Sequence, residues 1–197
     1  MRLRKQSGMT VLLCILATML FPANAFAYAA QADGNVDPAL VEQANDLLDL
    51  LPEYIIDALE DEDVPIYITD KDIDDYFFNG QAGATWGVYN TYDNGTADIY
   101  VEDTEMAVYE SVIHEVGHLL DDFCGKITST EGYSAIYDAE YPVYYDVYDL
   151  KMDLEQPKEF FAEGFRKYYT DREIFQENCP QLYSLIQSTL AALEEEG

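Results

Sequence analysis

The sequence predicts an α+β fold: an N-terminal helix, a small twisted sheet with an exposed edge strand, a long central helix and a mainly helical C-terminal half. Three observations predict it. Val64, Ile66 and Ile68 alternate with polar or aromatic residues, and Asp93-Asn94-Gly95 separates two β-rich runs, a hairpin signal. Residues 104–123 carry apolar side chains at spacings of three and four, the period of a packed helix. Two later stretches, Pro157 to Tyr169 and Gln181 to Leu193, repeat that period. The reading is one domain over 37–197, with an α/β half at 37–103 and a helical half at 104–197.

The first 27 residues read as a signal peptide rather than as part of the fold. Arg2, Arg4 and Lys5 form a basic start, Thr10 to Phe21 an apolar run too short for a comfortable membrane span, and Ala25-Phe26-Ala27 a small-x-small cleavage site. Residues 28–36 read as a linker. Asp37-Pro38 then opens a helix with Pro in its first turn and apolar Leu40, Val41, Ala44, Leu47, Leu48 and Leu50. Pro52 to Leu59 reads as a second short helix, Val64 to Thr69 as a strand, and 84–92 with Thr96 to Val101 as the two arms of the hairpin. Asp103 or Thr104 can cap the central helix. Its expected buried stripe is Met106, Tyr109, Ile113, Val116, Leu120 and Phe123, with Ala107, Ser111, His114, His118 and Asp121 on another face. The recurrence of tyrosine at 133, 137, 141, 145 and 148 reads as a packed helix face.

Charge narrows the function. The chain has 39 acidic residues against 10 basic ones, a formal net charge of −29. Such a field repels nucleic acid and anionic membrane surfaces, keeps an exported protein soluble as a monomer and favours basic partners. No second hydrophobic run is long enough to cross a membrane once the signal is removed. Cys124 and Cys179 are the cysteines outside the signal, and an oxidising compartment allows them to pair.

Chemistry concentrates in His114-Glu115-Val116-Gly117-His118, which contains both histidines of the chain. Positions i and i+4 of a helix share a face, so two neutral imidazoles can hold one Zn²⁺. Glu115 lies beside the ion, where a carboxylate can take a proton from water. A catalytic zinc needs a third protein ligand, and no third histidine exists. Cys124 is one candidate, spaced as in some zincins, but Asp121 stands where those enzymes need a turning glycine. The better candidates are Glu159 and Glu163, four apart on one face of the next helix. One can bind zinc while the other accepts the second N–H of a ligating histidine.

The segments His114 to Asp121 and Glu159-Phe160-Phe161-Ala162-Glu163-Gly164-Phe165-Arg166 resemble the catalytic domain of the anthrax toxin lethal factor family, which includes secreted Pro-Pro endopeptidases. The resemblance covers roughly residues 60 to 170 and implies a zincin-like metallopeptidase with one Zn²⁺. It implies that His114, His118 and Glu159 are the ligands, Glu115 the general base and Glu163 the support behind a ligand. It also implies a protein or peptide substrate, proline-rich in one branch, lying along the edge strand after Gln81. The chain departs from the family at one point. Relatives carry an oxyanion-stabilising tyrosine about seven residues before the glutamate ligand, where this chain has Met152; Tyr148 or Tyr145 is the nearest substitute. The expected activity is therefore that of a secreted zinc endopeptidase. The alternative is an exported binding or toxin-like module with a degenerate or structural zinc site. A peptidase of cell-wall peptides would need a cation for a terminal carboxylate, and Arg166 is the one basic residue near the motif.

Overall fold

The computed structural model describes residues 28–81, 85–148 and 156–196. Residues 1–27, expected to be a signal peptide, and Met152 fall outside them. The chain runs β1 (Gln31–Asp33), α1 (Pro38–Leu48), α2 (Glu53–Asp61), β2 (Ile66–Thr69), α3 (Ile73–Phe78), β3 (Gly87–Thr91), β4 (Ala97–Glu102), α4 (Glu105–Phe123), a 3-10 turn (Ile127–Ser129), α5 (Glu131–Tyr148), α6 (Pro157–Thr170), α7 (Arg172–Asn178) and α8 (Pro180–Glu196). This is an α+β fold with a small sheet and a helical C-terminal half. Among the described residues no helix is long and apolar enough to cross a membrane.

Local chemistry explains most boundaries. Asp37 caps α1 by accepting from Ala39 N at 3.0 Å, and Thr104 caps α4 by accepting from Ala107 N at 3.1 Å. The cap of α8 comes from far away in sequence: the buried Glu140 carboxylate accepts from Gln181 N at 2.8 Å and Leu182 N at 2.9 Å. In the hairpin, Gly95 takes φ 86°, a conformation glycine adopts without strain, and Tyr92 N bonds to Thr96 O.

The sheet has the order β1-β2-β4-β3, with β1, β2 and β4 parallel and β3 antiparallel to β4 at the edge. Strand pairing places Ile66 beside Ile99 and Ile68 beside Val101. All four are fully buried and share one core with Val108, Val112, Ile113 and Val116 of α4. Burying each such side chain contributes about 1.5–3 kcal/mol. The other sheet face carries Tyr67 and Tyr100, whose ring centroids lie 4.9 Å apart, under Phe77 of α3.

Two expectations are corrected, and the pairing of the cysteines, open in the sequence, is answered. Residues 28–36 are not a linker, because Gln31–Asp33 form β1 on the outer side of β2, Ala30 is buried and Tyr28 bonds to the Val64 carbonyl. Three residues of strand are too few to show a period. On α4, Met106, Tyr109 and Phe123 are exposed, whereas Ser111, His114, Glu115 and Asp121 are buried. The sheet and α1 pack on one side and α6 on the other, so the middle of the helix is enclosed and no single stripe marks its buried side. Cys124 ends α4 and Cys179 is buried between α7 and α8, and no disulfide joins them.

Candidate functional site

The site forms where α4 crosses α6, and a glycine decides how closely they cross. A Cβ on Gly117 would sit 2.8 Å from Ala162 Cα and 3.1 Å from the Ala162 carbonyl oxygen, so only a bare Cα fits there. The thin contact brings Glu159 and Glu163 against the two histidines. Glu159 Oε2 lies 3.2 Å from His114 Nε2 and 3.2 Å from His118 Nε2. Glu163 Oε2 lies 3.4 Å from Nδ1 on the far side of the His114 ring. Lys158 Nζ is 3.5 Å from the other Glu159 oxygen, Oε1.

This spacing fits a tetrahedral ion. Ligands about 2.0–2.1 Å from zinc stand about 3.3 Å from one another. The His114, His118 and Glu159 ligand atoms all lie within 4.8 Å of each other, and each histidine nitrogen is 3.2 Å from the shared oxygen. Nitrogen and carboxylate donors of this kind suit Zn²⁺. The cluster has a closed end and an open end. His114 and Glu163 side chains are 5% and 1% exposed, against 14% for His118 and 23% for Glu159.

The electrostatics are those of a cation site. Burial disfavours a charged His114, but hydrogen bonds to Glu159 and Glu163 outweigh it and push its pKa up to about 10. Burial also opposes charge on the two glutamates. Contacts with both histidines nevertheless hold Glu159 well below the usual carboxylate range, and Arg166 with His114 does the same for Glu163. The ionised glutamates beside the imidazole nitrogens favour a positive charge there.

Glu115 points from α4 toward the edge strand. It is buried, which raises its pKa against the lowering effect of the two histidines and of the Tyr89 main-chain N–H that donates to it. The strand comes this close because residue 87 is glycine: a Cβ there would be 2.6 Å from Ser111 Cβ and 2.8 Å from Glu115 Oε1. Glu102 N bonds to Trp86 O and Tyr92 N to Thr96 O, so the even-numbered residues of β3 face β4. The Tyr89 N–H therefore faces the free edge. The Tyr89 hydroxyl bonds to Asp122.

Of the residues singled out in the sequence, the fold brings together His114, Glu115, His118, Glu159 and Glu163. Tyr148 is not among them. It stacks beside Tyr144 at 4.4 Å, under Lys167 Nζ at 4.5 Å, with its hydroxyl toward Asp171. Lys167 is two turns beyond Glu159, about 12 Å along the helix. Tyr145 is exposed on α5 and packs on Tyr141. Arg166 is no carboxylate receptor either. It is 1% exposed and its Nε and Nη2 grip Glu163 at 2.8 and 2.6 Å, while Nη2 also pairs with Glu110 at 2.6 Å. Tyr144 Oη donates to Glu163 Oε1 at 2.9 Å. Sequence reading missed Tyr144 and Glu110. The available signal was Arg166 itself, a charge at i+3 from Glu163 on a helix otherwise lined with phenylalanine.

The family described as "Anthrax toxin lethal factor, N- and C-terminal domain" matches residues 19–189 of the chain. Among solved structures, the Pro-Pro endopeptidase from Paenibacillus alvei is similar, with a TM-score of 0.62 and 21% sequence identity. The similarity covers 83% of this chain and 98% of that one. No curated protein sequence matches.

Proposed function

The chain belongs to the anthrax toxin lethal factor domain family, and from that premise we propose that it is a secreted zinc endopeptidase that hydrolyses peptide bonds of an extracellular protein. The observation that carries this reading is one carboxylate oxygen 3.2 Å from each of two histidine nitrogens, with a buried glutamate next to them under a free strand edge. His114, His118 and Glu159 hold the zinc, and Glu163 orients His114 from behind. When bound, zinc supplies Lewis acidity to a water and to the scissile carbonyl. Glu115 takes the proton from the attacking water and returns it to the leaving amine. Its burial suits the task, because it raises the pKa of the carboxylate and so makes it a better proton acceptor.

Substrate lies extended along β3, whose outer edge pairs with no strand among the described residues and can add one more. The acidic surface favours a basic peptide. By analogy with the Paenibacillus protein, the cleaved segment is proline-rich. Among the described residues no activated serine or cysteine stands at the cluster, and no acyl-enzyme is expected. Arg166 is buried against two glutamates, which argues against a peptidase that captures a terminal carboxylate.

Peptide-library cleavage read by mass spectrometry, with and without chelator, tests the proposal. Glu115→Ala is expected to lose about 10²–10⁴-fold in rate while zinc stays bound. Cleavage by that variant at the wild-type rate would sink the mechanism. A second reading, an exported binding or toxin-like module whose zinc is structural, draws on Met152 in place of the family tyrosine. It predicts tightly held zinc and no cleavage of any library peptide.

A further inference from the structure

We propose that Arg166 and Tyr144 are positioning residues that set the metal affinity of this site, acting through Glu163 on His114. The inference rests on the zinc reading above. Glu163 offers two carboxylate oxygens, and four polar atoms of three side chains surround them. Oε2 accepts from Arg166 Nε at 2.8 Å and faces His114 Nδ1 at 3.4 Å. Oε1 accepts from Arg166 Nη2 at 2.6 Å and from Tyr144 Oη at 2.9 Å. An ionised carboxylate has about four acceptor positions, so this one has little freedom left to rotate. Fixed in this way, Glu163 keeps the His114 proton on Nδ1. The Nε2 lone pair is then left facing Glu159 and the ion.

Arginine is suited to this part and poorly suited to a merely structural one. Its planar fork sets the plane of the carboxylate it grips, which a lysine ammonium cannot do. As a packing element it is costly. Buried ion pairs are commonly no more stabilising than apolar side chains of the same volume. Arg166 also leaves Nη1 buried without a hydrogen-bond partner. The network crosses three helices, with Glu110 on α4 one turn before His114, Glu163 and Arg166 on α6, and Tyr144 on α5. Zinc binding is thereby tied to the seating of the tyrosine-rich helix, which contributes none of the proposed ligands.

The test measures zinc affinity by competition with a chromogenic chelator, together with the visible absorption of the Co²⁺-substituted protein. Tyr133→Phe is the control. Like Tyr144, Tyr133 is a buried tyrosine of α5 bonded to α6, but its hydroxyl donates to Pro157 O at 2.6 Å and touches no part of Glu163. Arg166→Lys and Tyr144→Phe are expected to weaken zinc binding, by about 100-fold and about 10-fold, and to alter the Co²⁺ bands. Tyr133→Phe is expected to lower the melting temperature and leave both readouts unchanged. If Arg166→Lys fails to fold, Tyr144→Phe decides alone. A folded Tyr144→Phe protein with wild-type zinc affinity and Co²⁺ spectrum overturns the inference. Failure of the wild-type protein to bind zinc overturns the functional reading, and this inference with it.

Discussion

Helix α6 meets neighbours of opposite character on its two sides. Toward α4 it presents Ala162, Glu159 and Glu163 to a glycine and two histidines, and the contact is thin and charged. Toward α5 it presents Phe160 and Phe161 to Tyr133, Tyr137, Tyr141 and Tyr144, and the contact is thick and aromatic. Each contact includes residues four apart, Glu159 and Glu163 on α6 in the first and Tyr137 and Tyr141 on α5 in the second. On the first, that spacing gathers ligand atoms around a point. On the second, it stacks rings, at 5.0 Å between Tyr137 and Tyr141, and fills volume. Residue spacing alone does not separate the two uses; the size and charge of the partner across the contact do.

Removing a ligand from the charged face should have the largest effect. Glu159→Ala is expected to lose zinc on dialysis and to cleave no peptide, as measured by metal analysis and the library assay. Retention of both zinc and activity would exclude Glu159 as a ligand. Thickening the thin contact comes next. Gly117→Val should lower stability by about 1–3 kcal/mol in thermal or denaturant unfolding and weaken zinc as the helices part. An unchanged melting temperature would show that the close approach at Ala162 is not required.

Proton competition gives a graded probe of the same face. In the metal-free protein the His114 pKa is about 10, raised above its ordinary 6.5. The stability this charge contributes is fully present below about pH 6.5 and is lost as pH rises through 10. Metal-free protein should therefore melt at lower temperature across that window. Over the same range apparent zinc affinity should climb, approaching tenfold per pH unit, because zinc must displace one proton. Chelator competition at several pH values measures the slope, and a flat profile would detach His114 from the metal. The smallest effect belongs to the aromatic face. Tyr148→Phe should leave kcat unchanged and stability within about 1 kcal/mol. A loss of about 100-fold would make Tyr148 an oxyanion donor after all.

The central helix, the hairpin with its edge strand and the helix bearing Glu159 were legible in the sequence, because each rests on a local period or a turn signal. Strand β1 was not, since its pairing with β2 lies in residues more than thirty positions away. The exposed Met106 and Tyr109 fit the expected stripe of α4 in period but lie beyond its enclosed middle turns. Tyr148 was the expected active-site tyrosine, yet the α5 hydroxyl that reaches Glu163 is that of Tyr144. A helix spaced near four offers several equivalent tyrosines, and only the packing of α5 on α6 selects among them.

The sequence by itself determined the donor types and the i, i+4 geometry of His114 and His118, because a helix sets such distances within one turn. It also placed a glutamate next to the first histidine and two more on a later helix. Only the tertiary structure decided that Glu159 faces both Nε2 atoms, that Glu163 faces Nδ1, and that Arg166 is spent on Glu163 rather than on a ligand. Those outcomes depend on how closely two helices 41 positions apart cross. That distance is set by Gly117 against Ala162 and by the aromatic packing behind α6, neither of which is a property of any one segment.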